Sequence, residues 1–69
     1  MVQEDRLLKL REVTEILGTS RATVYRLIKH NSIRWVWLGS TIRISSFDLQ
    51  DFIRDLRENP RRISFTDKE

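Results

Sequence analysis

The sequence predicts a small α+β domain: three helices, with a two-stranded β-hairpin between the second and the third. Apolar residues recur at helical spacing in three separate runs, and a glycine flanked by β-branched and aromatic residues lies between the second run and the third. A chain of 69 residues holds one small core. With no cysteine, neither a disulfide framework nor a thiolate zinc site can reinforce it, so packing must hold the fold.

The first helix is read from "LREVTEILG". Leu10, Val13, Ile16 and Leu17 fall on one face, Arg11, Glu12, Thr14 and Glu15 lie opposite, and Gly18 supplies the residue that ends a helix cheaply. Three residues after Leu17, Ser20 is a good N-cap for a second helix whose inner face is Val24, Leu27 and Ile28. Two helices joined by so tight a glycine turn have the spacing of a helix-turn-helix, which many αα-hairpins share.

The hairpin is read from "SIRWVWLGSTIRISS" and admits two registers. A three-residue loop, Gly39 to Thr41, pairs Leu38 with Ile42 and Val36 with Ile44 on the buried face and sets Trp37 against Arg43 on the other. A two-residue Gly39-Ser40 turn instead gathers Trp35, Trp37, Ile42 and Ile44 on one face. One residue of slip exchanges the faces. The three-residue loop is preferred because it brings Ile33, Val36, Leu38 and Ile44 to the core and leaves Arg43 exposed.

Ser45, with Asp48 three residues on, signals a capping box for the third helix, and Leu49, Phe52, Ile53 and Leu56 form its inner stripe. Asn59-Pro60 stops it. The expected organisation is a flexible N-terminus at 1–6, the domain at 7–58 and a basic, mobile tail at 59–69.

Net charge is +3, and its distribution along the chain is uneven. Residues 1–17 sum to −1, residues 18–45 to +5 without one acid, residues 46–58 to −2, and residues 59–69 to +1. A one-signed central block suits a polyanion such as nucleic acid. The third helix, with Asp48, Asp51 and Asp55 on its outer face, should close the core on the side away from DNA. On a wheel of roughly 100° per residue, the outward stripe of the second helix is Ala22, Arg26 and Lys29, flanked by Tyr25, Thr23 and His30. Arg26 can fork onto guanine O6 and N7, Ala22 can touch a thymine methyl, Thr23 or Tyr25 can reach a phosphate or base edge, and Lys29 can reach a phosphate. Each alone is an ordinary surface residue. Arg21, Arg34 and Arg43 complete the cations of the block, each a candidate for a phosphate.

The run from Leu7 to Leu56, about 50 of the 69 residues, resembles the excisionase family of winged helix-turn-helix DNA-binding proteins, related to the DNA-binding domain of the MerR regulators. The segments "LGTSRATVYRLIK", the glycine hairpin ending in "IRI" and "DLQDFI" carry the likeness. The resemblance implies a recognition helix at residues 20 to 30, including Ser20 and Arg21, in the major groove. It also implies a wing around Gly39 to Arg43, with Trp37, Ser40 and Thr41, against the adjacent backbone or minor groove. Such proteins include excisionases, which bend DNA beside phage attachment sites and bias an integrase towards excision, and small transcriptional regulators of mobile elements. Three positions depart from the family pattern: Lys9 replaces a Thr-type cap, Ser40 and Thr41 replace wing-tip arginines, and Trp35 and Trp37 replace smaller or basic residues.

Double-stranded DNA is therefore the expected partner, with an integrase and neighbouring copies of the chain as further candidates. Arg61 and Arg62 of the tail can meet the acidic face of the next copy, a phosphate, or an integrase. A protein-interaction module anchored on Trp35 and Trp37, such as an anti-repressor or antitoxin, is the competing class. Enzymatic activity is not expected, since there is one histidine, His30, and no pair of carboxylates outside solvated helix faces. No cofactor, metal or membrane is called for. The acidic start "MVQEDRLLKL" has no signal-peptide pattern, which gives a cytoplasmic expectation.

Overall fold

The structure is a computed structural model and describes residues 4–63. In chain order it contains β1 (Leu7–Lys9), α1 (Leu10–Leu17), α2 (Arg21–Lys29), β2 (Val36–Leu38), β3 (Thr41–Ser45) and α3 (Ser46–Glu58). The three helices and the hairpin stand where the sequence predicts them. The sheet has a third strand, and its order is β1-β3-β2, antiparallel throughout. β1 is only three residues long, too short to show the alternation that marks a strand.

Each helix ends as its residues dictate. Gly18 takes the left-handed conformation (φ 67°, ψ 38°), and the N–H groups of Gly18 and Thr19 both return to the Thr14 carbonyl. At the end of α2, Asn31 occupies the corresponding place with φ 55°, and Ser32 N–H donates to the Leu27 carbonyl at 2.8 Å. Ser20 caps α2 by accepting from Thr23 N–H.

The start of α1 is unusual, because a lysine side chain has no acceptor to offer. Glu12 supplies the other half of a capping box instead, its Oε1 accepting from Lys9 N–H at 2.8 Å while Oε2 meets Arg6 at 3.2 Å. Ser45 caps α3 as predicted, accepting from the N–H groups of Phe47 and Asp48. The reinforcing carboxylate there comes from Asp5, which accepts from Ser45 Oγ at 2.5 Å, Ser46 Oγ at 3.3 Å and Phe47 N–H at 3.2 Å. These bonds, led by the Ser45 hydroxyl and then the Phe47 amide, hold the Asp5 carboxyl below its ordinary range. Main-chain bonds add to the tie: Ser46 N–H donates to the Arg6 carbonyl at 2.7 Å, and Arg6 N–H to Ser46 Oγ at 2.9 Å. Asp5 and Arg6, assigned by sequence to a flexible N-terminus, are thus bonded to the start of α3.

The core joins Leu8, Leu10, Val13, Val24, Leu27, Ile28, Ile33, Ile44, Leu49 and Phe52. Val13, Val24 and Ile44 are fully enclosed, and such burial contributes about 1.5–3 kcal/mol per side chain. Ile16 is not part of it, being 54% exposed at the end of α1.

The preferred hairpin register is corrected. Pairing is Val36 with Arg43, Trp37 with Ile42 and Leu38 with Thr41, which leaves a two-residue Gly39-Ser40 turn. Gly39 has φ 65° while Ser40 does not take positive φ, as a turn with glycine at its first central position requires. β1 reinforces this register: Leu8 pairs with Ile44, so the core face of the sheet carries Leu8, Ile44, Ile42 and Trp37. Val36 and Leu38 lie on the opposite face and are exposed, and Trp37 does not face Arg43. The hairpin's own composition favours bringing Val36 and Leu38 inward; the third strand and the turn decide otherwise.

Candidate nucleic-acid interface

Helix α2 buries Val24, Leu27 and Ile28 and leaves Ala22, Tyr25, Arg26 and Lys29 exposed. The outward stripe predicted from the wheel is therefore the solvent face of the helix. Arg21 opens the helix and is exposed as well. Thr23 is half-buried, and its hydroxyl is shared with Ser20 Oγ at 3.1 Å, so these two side chains serve the helix start first.

Between α1, α2 and the hairpin lies an open groove of ≈ 750 Å³. Its basic lining is Lys9, Arg11, Arg21 and Arg43; Thr14, Tyr25, Trp37, Ser40 and Thr41 contribute polar and aromatic surface, and Leu10 and Ile42 line it too. Among the described residues, no acid lines it. Its existence follows from strand lengths, because β1 pairs with β3 only as far as Lys9 opposite Arg43, while β3 and β2 run on to Thr41 and Leu38. The hairpin thus projects beyond the chain's turn into α1 and faces α2 across the gap. Trp37 is 63% exposed there and contacts Trp35 edge to face, with ring centroids 5.8 Å apart at 81°. Such a pair adds about 0.5–1.5 kcal/mol beyond burial and fixes the orientation of a ring the core does not enclose.

Six residues expected at the interface, Arg21, Tyr25, Trp37, Ser40, Thr41 and Arg43, are brought to this groove. Ala22, Arg26 and Lys29 occupy the free face of α2. Arg34 is placed elsewhere, in a smaller depression lined also by Asn31, Ile33, Trp35, Val36 and Asp48. Arg61 reaches its own chain's Asp55 at 2.8 Å, and that contact, with Asn59, lowers the Asp55 carboxyl from its ordinary range. Arg62 is exposed, and Ile63 packs against the core, so the described start of the tail lies on the domain. Residues 64–69 lie outside the described residues.

Sequence reasoning missed Lys9, Arg11 and Thr14. Lys9 and Arg11 sit in a segment whose charges sum to −1, but Glu12 of that segment is spent on the Lys9 amide and on Arg6. The signal available was Lys9 itself, a cation at a cap position. Among the described residues no cluster of three metal-ligating side chains occurs, and no helix is long and apolar enough to cross a membrane. Residues 7–57 match the profile of a family described as a helix-turn-helix domain. No curated protein and no solved structure matches the chain.

Proposed function

The chain belongs to the helix-turn-helix domain family and is a helix-turn-helix DNA-binding protein; on that premise we propose that it is an excisionase, a recombination directionality factor. In this reading it binds neighbouring duplex sites cooperatively, reads their sequence with α2, and bends the DNA to promote integrase-mediated excision. The observation that carries sequence-specific binding is the division of α2 into a buried apolar face and an exposed Ala22, Arg26, Lys29 stripe. Those three offer a methyl contact, a bidentate guanine contact and a phosphate contact in order along one helix. Excision is favoured over other uses of the same fold by the resemblance of residues 7 to 56 to excisionases. A single module of this size gives modest specific affinity, so side-by-side binding is the natural route to occupancy.

The test begins with selection of a preferred site from random duplex. Arg26→Ala should then weaken binding to that site by about 1–3 kcal/mol and to random duplex by little. Equal losses on both would mean that Arg26 meets only phosphate. For the excision step, a multi-site fragment should show a bend in a permuted-site gel assay, and the chain should raise excision by its cognate integrase. A bound, unbent fragment with repression of a nearby promoter would make the chain a small transcriptional regulator instead.

A further inference from the structure

We propose that Lys9 and Arg11, at the start of α1, clamp the sugar–phosphate strand of the duplex in the groove between α1, α2 and the hairpin. The inference rests on the DNA-binding reading and adds two residues to it. If α2 enters the major groove and the projecting hairpin lies against the adjacent minor groove, the strand dividing those grooves must cross between α2 and the hairpin. The open groove is the space between them.

Its chemistry suits that occupant on two counts. Lys9, Arg11, Arg21 and Arg43 approach from three elements, α2, β3 and the β1–α1 junction, and no acid among the described residues lines the groove with them. A polyanion passing through is met by cations from both sides. Tyr25 and Trp37 also line the groove and offer flat apolar surface to the deoxyribose between phosphates. Trp37 is pre-oriented for this by its edge contact with Trp35. The position of Lys9 and Arg11 is fixed from behind, because Glu12 binds the Lys9 amide and Leu10 and Val13 are buried. Their side chains can therefore stay free for the ligand while their backbone is rigid. By contrast, Arg34 lies in the depression that contains Asp48, outside this path.

The decisive measurement is the salt dependence of binding to a single-site duplex, for the wild type, Lys9→Gln, Arg11→Gln, the double variant, and Arg57→Gln on α3 as a control. Each phosphate neutralised contributes about −0.9 to the slope of log K against log salt. The double variant should flatten the slope by about 1.8 on selected and random duplex alike, and the control should leave it unchanged. Helical circular dichroism and thermal melting would establish that the variants are folded; neither substitution removes a side-chain bond among the described residues.

In a Trp35→Phe background, Trp37 emission should become shielded from acrylamide when duplex saturates the protein. An unchanged slope in the double variant, or Trp37 as accessible in the complex as in free protein, would overturn the assignment. A loss of cooperativity on multi-site DNA with the single-site slope intact would overturn it too, and would give the groove to the acidic face of a neighbouring copy. If the wild type binds no duplex at low salt, the DNA-binding reading itself fails. If it binds and Arg26→Ala alone relaxes sequence preference while the slopes hold, only the groove assignment fails.

Discussion

Gly18→Ala separates backbone strain from packing at the turn between α1 and α2. Gly18 has φ 67°, and a Cβ built on it meets nothing within 4 Å, so the substitution has no steric neighbour to displace. What remains is the left-handed conformation, which costs an L-residue about 1–2 kcal/mol. Alanine also restricts the unfolded chain, which offsets about 0.4–1 kcal/mol of that. The net destabilisation should be about 1 kcal/mol, a fall in Tm of about 4–8 °C for a domain of this size. Gly39→Ala should cost at least as much, since its surroundings are equally open and a turn with glycine at its first central position takes Gly39 (φ 65°) out of the left-handed helical basin that Gly18 occupies. Gly18→Asn should recover most of the loss, as this chain already holds Asn31 at φ 55° at the end of α2. Urea unfolding of the four proteins gives the comparison directly. A loss above about 3 kcal/mol for Gly18→Ala, or an asparagine variant no better than alanine, would show that close packing rather than φ controls the turn.

Lys29→Ala should weaken binding to selected and random duplex alike and flatten the salt slope by about 1, measured by fluorescence anisotropy at several salt concentrations. Ile44→Val should cost about 0.5–1.5 kcal/mol, because Ile44 is fully enclosed, whereas Val36→Thr should stay within about 0.5 kcal/mol. Reversal of that order in denaturant melts would restore the three-residue hairpin loop. Asp5→Asn should destabilise the domain at neutral pH. The wild-type carboxyl is held below its ordinary value, so its contribution is present above that value and lost as pH falls through the lowered one; the gap between variant and wild type should close in acid. A gap independent of pH would mean that the Asp5 bonds do not depend on its charge.

What the sequence disclosed of the fold is what neighbouring residues decide among themselves. The Ser20 and Ser45 caps, the Gly18 stop and the stripes of α2 and α3 are all contacts within a few positions, and all are present. The features it did not disclose join distant positions. β1 exists because Leu8 finds Ile44, and the carboxylate at the start of α3 is Asp5, 40 residues from Ser45. Hairpin register failed for a related reason. The hairpin's own composition favours burial of Val36 and Leu38, but parity is set by the Gly39 turn and by the strand on the other side of β3.

The interface divides along the same line. The exposed stripe of α2 could be placed from the wheel because a helix face is a local property, and Ala22, Arg26 and Lys29 lie on the solvent face. The groove is not local: its cations come from residues 9, 11, 21 and 43. Summing charge along the chain hid two of them behind Glu12 and Glu15, and credited Arg34, which the fold places in the depression that contains Asp48. Charge acts through space, over roughly a Debye length of 8–10 Å, so the segment boundary that separated Lys9 and Arg11 from Arg21 and Arg43 has no electrostatic meaning. Once Glu12 is committed to the cap of α1, the start of that helix presents cations to the groove, and the basic surface extends beyond the acid-free block of residues 18–45.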